Sequence, residues 1–326
     1  MTRMTRAPEK TEALEMRAVY GSTLVELGEA DDRIVVLDAD LMRSNGTVVF
    51  KERFPERAFD VGVAEANMIG ISAGLSTTGL IPFPATFTCF ASRRVFDQFF
   101  ISANYARQNV KLTGTDPGIT AIVNGGTHMS FEDVGLMRTI PGITIYEPSD
   151  PVSLKALLRQ ATYKPGCCYL RLFRKAAAPL YAEDESFELG KGKVLVDGND
   201  LAIIATGAVL VPEALAAAEA LEGEGISAAV IDMHTVKPID EELIVTYAEK
   251  CGAILTCENH QVRNGLGSAV AEVLVENCPV PMARIGSQDE FGEVGMMDYL
   301  IKRFGMDADA IAERARALVA QKGGKK

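Results

Sequence analysis

Positive charge is scarce in this chain. Its 326 residues hold 33 Lys and Arg against 44 Asp and Glu, a net charge of −11 at pH 7. Nucleic-acid phosphates would be repelled unless a local basic patch intervened. The Arg93-Arg94 pair and the terminal Lys322-Gly-Gly-Lys-Lys326 are too short to form one, so nucleic acid is not an expected partner. Apolar runs are short as well. The most membrane-like stretch, Leu201–Val211, meets Pro212 and Glu213 well before a bilayer would be crossed. The N-terminal segment Met1–Lys10 has no apolar signal core. No membrane association is expected. Cys89, Cys167, Cys168, Cys251, Cys257 and Cys278 lack metal-ligand spacing, and the adjacent Cys167 and Cys168 suit no ordinary disulfide framework. A reducing cytoplasm is the expected setting. Internal repeats and low-complexity segments are missing too.

What is present is an alternation of strand and helix signals. The length allows two domains, each with its own core. Arg33–Asp38 is a continuous β-branched run, the mark of a strand covered on both faces. Phe59–Val63, Ile81–Thr86, Val110–Thr113, Ile143–Tyr146 and Cys168–Leu172 read as further strands. Helical patterns lie at about 12–27, 65–75, 94–106, 131–139 and 151–161. A parallel α/β domain therefore ends near Arg174. Residues 176–193 read as a linker with a hairpin-like start to the next unit. Four more strands, Leu201–Ala205, Ile226–Ile231, Gly252–Cys257 and Val280–Ile285, make a smaller α/β domain.

One acidic residue stands out. Glu65 sits in an apolar frame, with Val61 and Val63 before it and Met68, Ile69, Ile71 and Leu75 after it. Gly62, Gly70 and Gly74 leave room for close backbone approach. Poor hydration at such a junction favours the acid form, which is how a general acid/base is tuned. In isolation, Glu65 would read first as an acid at a helix N-terminus; the glycine-valine frame and the downstream aromatic motif shift the reading toward catalysis. About twenty residues on, Pro84-Ala-Thr-Phe-Thr-Cys-Phe90 offers two aromatic rings, and a carboxylate beside a flat aromatic wall suits a heteroaromatic cofactor. Without Glu65, Phe87 and Phe90 would read as core packing.

Several motifs in order carry a resemblance. Gly62–Leu75, Pro84–Phe90, Gly125-Gly-Thr-His128 and Ile140–Asp150 resemble the pyrimidine-binding domain of the transketolase family of thiamine-diphosphate enzymes. Val236-Lys-Pro-Ile-Asp240 and Asn264–Glu272 resemble that family's C-terminal domain. The resemblance implies two α/β domains with parallel or mixed sheets, a pyrimidine-binding domain over residues 10–178 and a C-terminal domain over 190–322. It implies that Glu65 hydrogen-bonds N1′ of the cofactor's aminopyrimidine, through which the ring activates its own C2 position for attack on a ketose carbonyl. Phe87 and Phe90 would line the pyrimidine pocket, with Phe90 the stacking partner. His128, one of three histidines, would face the substrate's oxygens and move a proton; His234 and His260 read as structural. Arg17, Ser44 and Arg174 match the family's sugar-phosphate contacts, though each arginine alone also fits a surface ion pair. Asp40 matches an acid near the cofactor and the dimer interface.

Two departures mark the substrate side. Where sugar transketolases usually carry His-Asp/Ala-Ser/Gly before the glycine loop, this chain has Thr115-Asp116-Pro-Gly118 with no histidine, and Val123-Asn-Gly-Gly126 places Asn124 where they carry an acid. A modified ketose or ketose phosphate is therefore expected as donor. The family's Gly-Asp-Gly element with a downstream Asn, which holds the diphosphate and its divalent metal such as Mg2+, is missing from the sequence. The chain thus reads as the C-terminal half of a split transketolase. Its partner would be an N-terminal, diphosphate-binding subunit, and dimers would pair into a heterotetramer. The alternatives are the beta subunit of a 2-oxo acid dehydrogenase first component, a synthase joining pyruvate to glyceraldehyde 3-phosphate, and a non-catalytic partner subunit.

Overall fold

A computed structural model describes residues 12–323. The domain start read at residue 10, the Met1–Lys10 segment and the last residues of the lysine tail lie outside the described residues. Two sheets organise the chain. The larger has seven strands in the order Thr235–Lys237, Thr144–Tyr146, Cys168–Leu172, Lys111–Thr115, Ile81–Phe87, Ile34–Asp38 and Ala58–Asp60. All its pairings are parallel except that of Thr235–Lys237 with Thr144–Tyr146. The smaller has five strands, Met282–Ser287, Ile254–Gln261, Leu201–Ala205, Ala228–Asp232 and Lys193–Val196, the last antiparallel.

Strand alternation builds a core on each face of each sheet. In the larger sheet, Ile34, Val36, Phe83 and Leu170 pack with the helices Met16–Ala30 and Pro151–Tyr163. Leu112, Ile145 and Tyr169 pack on the other face with Ile69, Val95, Phe99 and Met137. In the smaller sheet, Leu201, Ile203 and Ala205 face the helices Gly207–Gly223 and Ala308–Gly323, while Ala202 and Ile204 face Glu241–Cys251 and Leu266–Asn277. Burial on both faces explains why these strands read as unbroken apolar runs.

Three expectations are corrected. The second unit does not start with a hairpin, because Lys193–Val196 pairs with Ala228–Asp232 and not with the next strand, Leu201–Ala205. Ala176–Ala177 pairs antiparallel with Leu14–Glu15, closing the first unit onto its own start, and Lys193–Val196 is an edge strand of the second sheet. The second unit has five strands of its own, and Thr235–Lys237 crosses over to extend the first sheet. The helix read at 94–106 begins earlier and carries wide π-type turns at Phe90–Arg94 and Phe99–Tyr105. No described helix is long and apolar enough to cross a membrane.

Candidate active site

Chemically capable side chains collect at the carboxyl ends of the larger sheet's strands, the edge at which open α/β sheets bind ligands. Glu65 opens the helix Glu65–Thr77 just beyond the strand Ala58–Asp60. Its residue is 4% exposed, in the first turn of that helix. Arg94 Nη1 donates to Glu65 Oε1 at 2.7 Å, the one hydrogen bond found for this carboxylate among the described residues. The apolar frame foresaw the burial but not the partner. Arg94 also lies flat against Phe90, its Cζ 3.8 Å from the ring centroid. The spacing of four residues between Phe90 and Arg94 on a helical segment was the available signal. The close approach expected at Gly62, Gly70 and Gly74 is not met: all three are exposed, and a Cβ at any of them would meet nothing within 4 Å among the described residues.

Phe87 ends the strand Ile81–Phe87, and Phe90 follows in the first wide turn. Their centroids are 6.1 Å apart, and both rings are only partly buried. His128 meets both edge-on, at 5.3 Å from Phe90 and 6.3 Å from Phe87. Its Nδ1 lies 2.9 Å from Thr127 Oγ1, and its Nε2 makes no hydrogen bond among the described residues. Arg93 fastens this loop, donating to the Thr127 carbonyl at 2.8 Å and pairing with Glu132 at 3.1 Å.

Arg174 closes the other end of the site. Its guanidinium lies 5.2 Å from the Phe87 centroid, donates to Asp116 Oδ2 at 2.5 Å and reaches the Ser44 carbonyl at 3.4 Å. Asp116 follows the strand Lys111–Thr115 with φ 55°, a left-handed backbone that Asp adopts more readily than most non-glycine residues. Burial raises its pKa, and Arg174, then Lys175 and Arg17, work against that rise. Its Oδ1 is buried with no hydrogen-bond partner among the described residues.

The remaining expected residues are less tightly joined. The Arg17 backbone N–H meets the Arg174 carbonyl at 3.3 Å, but its side chain pairs with Glu15 at 2.9 Å. Asp40 is exposed with φ 64° and shares a cleft of about 420 Å3 with Ser44, Arg43 and Lys51. That cleft wall is set by Asp38, which accepts from Leu41 N, Asn45 Nδ2 and Thr47 Oγ1. Burial pushes the Asp38 carboxyl up to about 6 despite those donors. Asn124 is exposed just before Gly125, and no side-chain hydrogen bond joins it to the other site residues among the described residues. His234 and His260 lie outside this constellation, buried in the second half.

The loop between Asp116 and His128 is held from the second unit. Asn259 Oδ1 accepts from Ile119 N at 3.0 Å, and Asn259 Nδ2 donates to the Pro117 carbonyl at 2.9 Å. Gly118 has φ 52°, and a Cβ there would fall 2.1 Å from Asn259 Oδ1. Ile119, Ala121, Met129 and Phe131 are buried in the second unit's core. Sequence reading missed Asn259, because nothing local ties it to a loop 140 residues away.

The chain is similar to known proteins over nearly its whole length. Residues 12–179 match the family model "Transketolase, pyrimidine binding domain", and residues 190–311 match "Transketolase, C-terminal domain". A relative from Clostridium sp. (strain MSTE9), named 6-deoxy-6-sulfo-D-fructose transketolase subunit SqwH, is 52% identical over 313 residues, covering 96% of this chain and 97% of the relative. The transketolase of Rattus norvegicus is 36% identical over 306 residues, covering 93% of this chain but 49% of its own length. A solved structure titled "Split gene transketolase, inactive beta4 tetramer" superposes with a TM-score of 0.87 at 41% identity, covering 95% of this chain and 99% of that one. The chain belongs to the transketolase family, whose pyrimidine-binding and C-terminal domains it carries.

Proposed function

We propose that this chain is the catalytic C-terminal subunit of a split transketolase, a transferase that moves a two-carbon ketol unit from a ketose to an aldehyde and works only with a companion subunit. The observation that carries this reading is the continuous chain of contacts Glu65–Arg94–Phe90–His128–Phe87–Arg174–Asp116 along one sheet edge.

The residues present fit one half of thiamine diphosphate. Glu65 supplies a buried carboxylate whose Oε2 makes no hydrogen bond among the described residues, suited to an aminopyrimidine nitrogen. Phe87 and Phe90 supply partly exposed rings to flank a flat heterocycle. When bound, the cofactor supplies the carbanion chemistry needed to break and remake a carbon–carbon bond beside a carbonyl. Glu65 holds and orients the proton at that nitrogen. His128 exchanges a proton with a donor hydroxyl through Nε2, its ring steadied by Thr127 and the two phenylalanines. Arg174, Arg17 and Ser44 hold the sugar's far end, and Asp40 borders the cofactor. The role of Asn124 is contact with substrate from its exposed loop.

The diphosphate and its divalent metal, such as Mg2+, are assigned to the companion N-terminal subunit, since this sequence lacks Gly-Asp-Gly. Two copies of each chain make the active heterotetramer. The two domains span about 10–178 and 190–322. Six free cysteines, five of them buried, suit a reducing cytoplasm. The donor is a modified ketose or ketose phosphate, and the sulfonated fructose in the Clostridium relative's name is the first to try.

Reconstitution with the companion chain tests this. The pair is expected to transfer ketol units, and neither chain alone turns over. Release of CO2 from pyruvate with an electron acceptor, without ketol transfer, would support the 2-oxo acid dehydrogenase reading instead. A clear preference for xylulose 5-phosphate would defeat the modified donor.

A further inference from the structure

The far end of the site has an unusual charge balance. Arg174 is ion-paired with Asp116 at 2.5 Å. Arg17 is ion-paired with Glu15 at 2.9 Å. Lys175 acts electrostatically on both carboxylates, and so does each of the two arginines. Three cations thus stand against two carboxylates, a net charge of plus one. The adjoining cleft beside Ser44 adds Arg43 and Lys51 against Asp40 and Asp60, which leaves that balance unchanged.

Asp116 also limits what oxygens can approach. An ionised carboxylate only accepts hydrogen bonds. Its Oδ1 is buried without a partner among the described residues. A sugar hydroxyl satisfies that atom; the oxygens of an anionic tail are repelled by it, those of a dianion more strongly than those of a monoanion. The backbone at Asp116, with φ 55°, and the Asn259 clamp on the following loop fix the carboxylate beside Arg174.

We propose that Asp116 selects the charge of the donor's terminal group, holding this subsite at one net positive charge so that it takes a monoanionic tail, such as a sulfonate, over a dianionic phosphate. The inference rests on the ketol-transfer reading and names the substrate class at that same site. A sulfonate carries one negative charge. A phosphate monoester carries about 1.5 to 2 at pH 7. Neutralising Asp116 raises the subsite to plus two, which matches the dianion.

The experiment uses the reconstituted pair of subunits with two donors of the same carbon skeleton, 6-deoxy-6-sulfofructose and fructose 6-phosphate. The wild-type pair is expected to show the lower KM for the sulfonate. Asp116→Asn shifts the ratio of kcat/KM toward the phosphate by roughly tenfold, mainly through KM, and Asp116→His shifts it further in the same direction. A purely structural role for Asp116 would depress both donors together and leave their ratio in place. Transfer with an unchanged ratio in both variants overturns this inference alone. So does a wild-type KM lower for the phosphate, which needs no variant to fold. No transfer by the wild-type pair from any ketose overturns the functional reading and this inference with it.

Discussion

Arg171 and Arg174 lie three residues apart and live in different worlds. Arg171 is 1% exposed and makes four hydrogen bonds: two to Asp133, one to Glu147 and one to the Asn259 carbonyl. Burial works against its charge, yet Asp133 and Glu147 outweigh that and hold its pKa above the ordinary arginine value. Arg174 has left the strand. It faces an aromatic ring on one side and a single carboxylate on the other. The same side chain is a rivet in one place and a receptor in the other. The difference lies in how many of its donors the protein itself occupies. Glu65 and its rim neighbours belong with Arg174; the Tyr169–Asp133–Arg171–Glu147 network belongs with the interior.

If that contrast is right, rim substitutions cost turnover and interior substitutions cost stability. The largest effect is expected from Glu65→Gln. Turnover of the reconstituted pair should fall by about two to four orders of magnitude, the usual reach of general acid/base groups, with unfolding midpoint and assembly little changed. Unchanged turnover would return the chain to the scaffold alternative.

Arg171→Ala probes the opposite pole. It leaves two buried carboxylates facing each other, and breaking such a network costs about 3–5 kcal/mol of stability. Denaturant unfolding measures this directly, and a loss below about 1 kcal/mol would erase the distinction drawn here.

His260 sharpens the interior side by pH. Its Nδ1 donates to the Gln261 carbonyl at 2.7 Å, and its Nε2 accepts from Gly135 N at 3.3 Å, so only the neutral ring fits. Burial pushes its pKa down to about 4. The unfolded chain therefore binds a proton that the folded chain refuses between about pH 6.5 and 4. Wild type should lose stability relative to His260→Gln as pH falls through that window, and the two curves should run parallel above it. The buried carboxyls Asp232 and Glu258, raised to about 7, act with the opposite sign. Asp232 cancels when the variant is compared with wild type, whereas Glu258, whose Oε2 lies 3.7 Å from His260 Nδ1, titrates beside it, so the difference reports the His260–Glu258 pair. Parallel curves throughout would mean His260 protonates freely in the folded state.

Arg94→Ala should be the mildest for stability. Arg94 is 48% exposed, and pairs with one exposed partner contribute about 0–1 kcal/mol. Thermal unfolding should shift little, while cofactor affinity of the pair, read by titration, should change. A loss of several kcal/mol would place Arg94 with the interior rivets.

Much of the fold was legible in the sequence because burial on both faces writes itself locally. The six parallel strands of the larger sheet and four of the second were read within a few residues, since β-branched runs ended by Gly, Pro or Asp need no distant partner. Thr235–Lys237 was missed: three residues carry too little pattern, and their strand forms only because Thr144–Tyr146 offers a free edge. Glu65, Phe87, Phe90 and His128 were singled out from short motifs, and the structure brings the rings and the histidine together.

The order of the elements, the buried carboxylate at position 65 and the family itself follow from the amino-acid sequence, because each is encoded within a few turns or strands. Which charges meet does not. Arg94 reaches Glu65 across 29 positions, Arg174 reaches Asp116 across 58, and Asn259 secures the loop after Asp116 across 140. Those pairings depend on where the sheet edge and the second unit place their backbones. Electrostatics falls off with distance in space rather than along the chain, so only the assembled tertiary structure fixes the charge that a substrate meets.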